Sequence, residues 1–133
     1  MIRIVAVGRI KERYLQEGIN EYLKRLKPFC KLEIVELKDE GLDKEADKLK
    51  SYENAFVLDA EGREYSSEEF ACLVEKNDNM TFIIGGPNGV RNDLKKRAIS
   101  LSRMTFTHEM ARMFFLEQLY RAFMIINERK YHK

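Results

Sequence analysis

Ile99-Ser-Leu-Ser-Arg-Met-Thr-Phe-Thr-His-Glu109 runs without a break into residues 110–127, MARMFFLEQLYRAFMIIN. The stretch reads as a short strand, a tight loop and the longest helix of the chain. At about 100° per residue, Met113, Tyr120 and Met124 face one way. Phe115, Leu119, Ala122 and Ile126 face nearly the opposite way. The polar positions Arg112, Glu117, Gln118 and Arg121 do not merge into one wet face. A helix patterned like this is buried on two sides. One side is expected to meet a sheet of its own chain, and the other a second copy of the chain.

Outward from that helix, the rest of the chain alternates strands and helices. Residues 1–7 (MIRIVAV) form a β-branched strand ended by Gly8. Residues 12–27 are helical, because Tyr14, Leu15, Ile19, Tyr22, Leu23 and Leu26 recur at three- and four-residue spacing; Pro28 stops them. Residues 31–38 (KLEIVELK) alternate as a half-buried strand near an edge. Residues 39–52 form a charged helix with a mostly wet face. Residues 55–58 form a short buried strand ended by Asp59, and Gly62 turns the chain. Ser66 or Ser67 caps the next helix, with Glu68 and Glu69 beside its positive end. Asn77-Asp-Asn79 is a loop and residues 80–84 (MTFII) a buried strand. Residues 93–98 are expected to form a short helix before the last strand. The order βαβαβαβαβα predicts an α/β fold: a mostly parallel sheet with helices on both faces.

The 133 residues predict one domain, spanning 1–133. The composition, 44% hydrophobic and 35% charged, is that of a globular protein with a real core. Cys30 and Cys72 lie far apart and show no CxxC pairing, which favours spectator thiols over a disulfide or metal site. No run is long enough for a membrane span and no signal peptide opens the chain, so a reduced, cytoplasmic setting is expected. The net charge of +2 is too mild to identify a polyanion partner by itself. Its distribution is more informative. Arg9, Lys11 and Arg13 follow the first strand, Lys95, Lys96, Arg97 and Arg103 surround the key loop, and Arg129, Lys130, His132 and Lys133 close the chain. Any one cluster suits a solvated face; three together favour an anionic surface as partner.

Ligands of open α/β sheets sit beyond the carboxyl ends of strands. Three such ends carry unusual residues: Leu58-Asp59 with Glu61-Gly62, Gly85-Gly-Pro-Asn-Gly89, and residues 102–108. The glycine run is neither a dinucleotide fingerprint nor a phosphate loop, since GxGxxG and GK[ST] are both missing. It is a plain turn or a fixed backbone that approaches a ligand closely. His108 and Arg112 share a helix face. His108 reads as a capped core histidine, a phosphate contact or a proton acceptor. Two histidines without matching carboxylate spacing argue against a metal. Ser100 and Ser102 lack a GxSxG elbow, which argues against a hydrolase triad. Tyr131-His132-Lys133 reads as a frayed tail unless tethered near a site.

The motifs Gly8-Arg-Ile-Lys11, Glu21-Tyr-Leu-Lys-Arg25, Ile84-Gly-Gly-Pro-Asn-Gly89, Leu101-Ser-Arg-Met-Thr-Phe106, His108, Arg112, Glu117-Gln-Leu-Tyr-Arg-Ala122 and Tyr131-His132 occur in that order. Together they resemble the RlmH family, SPOUT-class methyltransferases of ribosomal RNA. The match covers nearly the whole chain, and its last third is the most specific part. The resemblance implies an α/β knot with a deep C-terminal trefoil, and a homodimer. It implies methyl transfer from S-adenosylmethionine to N3 of a pseudouridine in large-subunit (23S-type) ribosomal RNA, as free RNA or assembled ribosome. It also implies a methyl-donor pocket at Leu58, Gly85, Leu101, Ser102, Arg103, Met104, Thr105 and Phe106.

Two departures stand out. The segment 39–53 is shorter than is usual in the family, and Thr107 stands where many members carry proline, leaving φ unfixed there. For the chemistry, the resemblance and side-chain basicity nominate His132 or His108 as proton acceptor, with Tyr131 beside them and Glu117 behind. Arg9, Lys11, Arg103, Arg129 and Lys133 would bind RNA phosphates, and the tail of one chain would complete the pocket of the other. Two rival readings are a non-catalytic SPOUT-like dimer that binds RNA or the ribosome, and a nucleotide-handling enzyme built on the glycine run.

Overall fold

The computed structural model describes residues 1–52 and 54–132. Glu53 and the expected RNA contact Lys133 lie outside the described residues. Among the described residues, the strands are β1 (Ile2–Val7), β2 (Leu32–Leu37), β3 (Phe56–Glu64), β4 (Met80–Ile84) and β5 (Ala98–Ser100). The α-helices are α1 (Arg13–Leu26), α2 (Leu42–Leu49), α3 (Ser67–Glu75) and α4 (His108–Ile126). The strands form one sheet in the order β2-β1-β4-β3-β5, and every pairing is parallel.

The side-chain alternation of the strands divides the core in two. Ile2, Ile4 and Ala6 of β1, with Met80, Phe82 and Ile84 of β4, face a large cluster. That cluster also contains Ile19 and Leu26 of α1, Phe70 and Val74 of α3, and Phe115 and Leu119 of α4. Val5, Val57 and Ile83 point the other way, onto Leu49 of α2 and Val90. Helices therefore cover both faces, as the element order predicts. The rings of Phe82 and Phe115, 4.7 Å apart, lock α4 onto the middle of the sheet.

The short crossover through α2 is complete. Gly41 adopts φ +96° before the helix, a conformation glycine enters without steric cost. The buried Glu45 carboxylate accepts the backbone N–H groups of Glu40 (3.1 Å) and Gly41 (2.9 Å), which fastens the turn. Ser66, not Ser67, caps α3. Its hydroxyl accepts from the Glu69 backbone N–H at 3.0 Å, and the Glu69 carboxylate accepts the Ser66 N–H at 2.8 Å.

Two expectations need correction. The strand expected to end at Asp59 continues to Glu64 after a break in register. Leu58 and Arg63 both stand opposite Ile99, so residues 59–62 bow outward between them. Gly62 is consequently inside the strand and not at a turn. A Cβ there would lie 2.6 Å from the Ala98 carbonyl carbon, so only glycine admits the neighbouring backbone. The expected helix over 93–98 is reduced to a 3-10 turn, Asn92–Leu94. Lys95 leaves helical geometry at ψ +43°, and its ammonium pairs with Asp59 at 3.1 Å. One such tertiary contact outweighs the weak propensity of a six-residue segment.

α4 packs on α1, α3 and the sheet of its own chain. Met113 lies against Gly18, whose Cβ would approach the Met113 sulfur to 2.7 Å. The rings of Tyr22 and Tyr120 are 6.1 Å apart, and Met113 and Tyr120 stay half-buried. Phe114, 37% exposed, is the large apolar residue that α4 leaves open.

Candidate active site at the strand ends

A cavity of about 430 Å3 opens between the bulge of β3 and the carboxyl ends of β4 and β5. Residues 58–60 form one wall, residues 84–87 with Gly89 a second, and the loop from Leu101 to α4 a third. The structure thus brings Leu58, Gly85, Leu101, Ser102, Met104, Thr105 and Phe106 around one space, with His108 at its edge. Arg103 is the expected pocket residue that does not line it. Its side chain is 84% exposed and pairs with Glu64 at 4.0 Å.

Local chemistry explains each wall. The Gly89 N–H donates to the Gly86 carbonyl at 2.9 Å, and Gly89 takes φ +77°. A Cβ on Gly85 would fall 2.7 Å from the Gly89 carbonyl carbon, so the loop closes on itself only without a side chain there. Ser100 is buried, and its hydroxyl lies 2.9 Å from the Ser102 carbonyl oxygen and 3.1 Å from that of Ala60. Ser102 in turn accepts the Met104 N–H at 3.0 Å. Both serines shape the loop. Asp59 is the carboxylate of the lining, and Lys95 partners it.

The loop ends in a fixed helix start. Thr107 caps α4 by accepting the Met110 N–H at 3.2 Å. Its φ is −61°, the value a proline would impose, so the threonine keeps that backbone and adds a cap. His108 follows, and a Cβ on Gly8 would stand 3.7 Å from its Nε2. Glu109 accepts the N–H groups of Lys11 (2.8 Å) and Glu12 (3.1 Å). Those backbone donors, Glu12 foremost, hold the Glu109 carboxyl below its ordinary range. Arg112, 3% exposed, donates to the Gly8 carbonyl at 2.9 Å and pairs with Glu36. The first turn of α4 therefore ties β1 and β2 to the cavity loop. Periodicity marked Arg112 as a polar interruption and missed its role; the i, i+4 pairing with His108 was the available signal.

The tail lies elsewhere on the chain. Glu128 adopts φ +53°, and the chain folds back along α4. The Tyr131 hydroxyl donates to Glu117 at 2.6 Å, and burial, with Glu117 second, pushes its pKa well up. His132 Nδ1 lies 3.1 Å from Arg121 Nη1, and its Nε2 meets Glu68. An arginine only donates, so Nδ1 accepts and Nε2 carries the hydrogen given to Glu68. Tyr131 and His132 do not line the cavity of their own chain. Arg9 and Lys11 are exposed beside α4's start, and Arg129 is exposed at its far end, its guanidinium 5.8 Å from the Phe29 ring. Cys30 and Cys72 are free thiols. Among the described residues, no group of three or more metal-binding side chains converges, and no helix is long and apolar enough to cross a membrane.

Comparison with known proteins agrees with this geometry. The profile of the family described as "Predicted SPOUT methyltransferase" matches residues 1–132. A protein of Carboxydothermus hydrogenoformans named "Ribosomal RNA large subunit methyltransferase H" is 45% identical, over 99% of both chains. Proteins of the same name from Acetivibrio thermocellus and Caldicellulosiruptor saccharolyticus are each 43% identical, over 99% and 100% of both chains. The alignment with the first spans 157 positions, more than the 133 residues here, so this chain is the shorter of the two. From the glycine turn to the capped start of α4, the cavity is made by the motifs that carry the family likeness, and the chain belongs to the SPOUT methyltransferase family.

Proposed function

We propose that this protein transfers a methyl group from S-adenosylmethionine to N3 of a pseudouridine in large-subunit ribosomal RNA. The observation that carries the reading is the convergence of Leu58, Gly85, Leu101, Ser102, Met104, Thr105 and Phe106 on one cavity. Its volume of about 430 Å3 is within the range of small-molecule sites. Its walls suit an adenosine: Leu58, Leu101 and Met104 offer apolar contacts for a purine, and the backbone of residues 85–89 and 101–106 offers amides and carbonyls. The names of the relatives supply the class of RNA.

Bound S-adenosylmethionine supplies an electrophilic methyl on a sulfonium, whose sulfur keeps the electron pair of the broken C–S bond. The chain's own work is to position the two reactants and to accept the N3 proton. His108, which lines the cavity, is the residue of this chain assigned to take it. Tyr131 and His132 do not line the cavity of their own chain, and in this reading they serve the pocket of a second copy in a homodimer. Exposed Met104 and Phe114 are the apolar surface such a partner would cover. Arg9, Lys11, Arg103 and Arg129 hold phosphates, with Lys133 beyond the described residues. The trefoil threading of the C-terminal third belongs to the same proposal.

Calorimetric titration with S-adenosylmethionine and with ATP tests the reading. Binding of the first alone, abolished in Gly85→Val, is the expected result. Binding of ATP alone, or of neither even with ribosomes added, overturns it.

A further inference from the structure

Asp59 lines the strand-end cavity, and among the described residues no lysine or arginine side chain does. The other titratable group of the lining is His108. Two elements bring the carboxylate there. The bulge between Leu58 and Arg63 takes residue 59 out of the register of the sheet. Lys95, which leaves the 3-10 turn at ψ +43°, meets Asp59 Oδ2 at 3.1 Å from outside the lining. Both side chains are half-buried. Lys95 occupies one carboxylate oxygen, and a carboxylate has lone pairs for several partners. Leu101 and Phe106 separate this space from a second cavity of about 380 Å3. The carboxylate that lines the second one, Glu117, is taken by Arg121 (2.9 Å) and by the Tyr131 hydroxyl (2.6 Å).

We infer that Asp59 tells the methyl donor from its spent product by charge: its carboxylate favours the sulfonium of S-adenosylmethionine over the neutral thioether of S-adenosylhomocysteine. The inference rests on the methyltransferase reading and assigns a residue to the exchange of product for donor. The two ligands differ by one methyl group and one positive charge. The sulfur keeps the electron pair of the broken C–S bond, so the charge disappears with the methyl. The α-ammonium and carboxylate are present in both and do not discriminate. A sulfonium anywhere in a space of about 430 Å3 lies within about one Debye length (~10 Å) of Asp59, so salt screens the attraction incompletely. The ammonium of Lys95 damps that attraction, because an opposite charge at 3.1 Å offsets part of the carboxylate's field. Attraction to a charge that is lost during transfer does not speed the transfer step. Its effect is on which ligand stays bound, and the product is the one it lets go.

Calorimetric titration of wild type, Asp59→Asn and Lys95→Gln with S-adenosylmethionine and, separately, with S-adenosylhomocysteine tests the assignment. Asp59→Asn should weaken the donor about 5- to 10-fold and the product by less than about 2-fold, the size of one lost charge in a partly wet site. Lys95→Gln should move the donor-to-product ratio the other way, by about 2- to 5-fold, because the carboxylate is then uncompensated. An equal loss for both ligands in Asp59→Asn overturns the assignment, since it would make Asp59 a shaper of the wall. Unchanged affinities overturn it too. So does a lowered ratio in Lys95→Gln, which would make the pair a brace between two loops. Should Asp59→Asn fail to fold, Lys95→Gln decides. Failure of the wild type to bind the donor removes the methyltransferase reading itself and is seen before any variant is compared.

Discussion

Arg112 of α4 donates from Nη2 to the carbonyl oxygen of Gly8 at 2.9 Å, 104 residues earlier in the chain. This single bond fixes the long helix to the end of β1. Glu36 at the end of β2 pairs with the same guanidinium. The cavity loop enters α4 one turn before Arg112, so its position depends on this anchor. The Nε of Arg112 is buried without a hydrogen-bond partner, so the site gives up part of the arginine's bonding to gain the cross-link.

Replacing Arg112 by Ala should therefore destabilise the fold by about 3 kcal/mol, the low end for breaking a buried pair, because Glu36 can be rehydrated. Glu36→Gln keeps the Gly8 bond and should cost only about 1 kcal/mol. Urea midpoints of the two variants at pH 7 measure the difference. Equal midpoints would show that the anchor is not the Gly8 bond.

Glu109 makes the fold sensitive to acid. Its carboxyl is held below 4.5 in the folded chain by the Glu12 and Lys11 backbone donors. A lowered carboxyl stabilises above its unfolded value, and that stability is lost as the pH falls through the folded value. Thermal midpoints from pH 7 to pH 3 should show wild type ahead of Glu109→Gln at neutral pH, by about 1 kcal/mol, with the gap closing below about pH 4. A gap that does not change with pH would show that the carboxylate's charge contributes nothing.

The tail supplies an activity prediction. His132→Ala should slow methyl transfer by about 100-fold or more, the range for a lost acid–base group, while donor affinity stays as it was. Mixing this variant with Gly85→Val should restore part of the activity, since one mixed site would then be intact. Turnover equal to the wild type in His132→Ala would end the tail's catalytic role.

Much of this architecture was legible before any coordinates. Residues 1–7 read as a strand and form one, and Ser66 or Ser67 with Glu68 and Glu69 marked a helix start that Ser66 and Glu69 close as a capping box. Of the three stretches singled out as strand ends, residues 85–89 and 102–108 do flank the cavity, and Leu58 and Asp59 join them from a bulge inside β3. Local patterns were misleading where a distant residue decided the outcome. Gly62 reads as a turn because glycine favours turns, yet the backbone of Ala98 and Ile99 presses it into a strand. Residues 93–98 read as a helix, yet Lys95 is drawn to Asp59.

The sequence by itself determined the order of strands and helices, the division of the core by alternation, and the chemical kinds of residue at the strand ends. Those properties depend on periodicity and on neighbours a few residues away. Tertiary structure decided that Arg112 and Glu109 are anchors, that Arg103 points away from the cavity, and that the tail is pinned to Glu117 and Glu68. It also decided that Leu101 and Phe106 separate two cavities. A polar or aromatic side chain has the same local signature whether it is solvated, capped or buried against a residue a hundred positions away. Only the packed chain chooses among those environments.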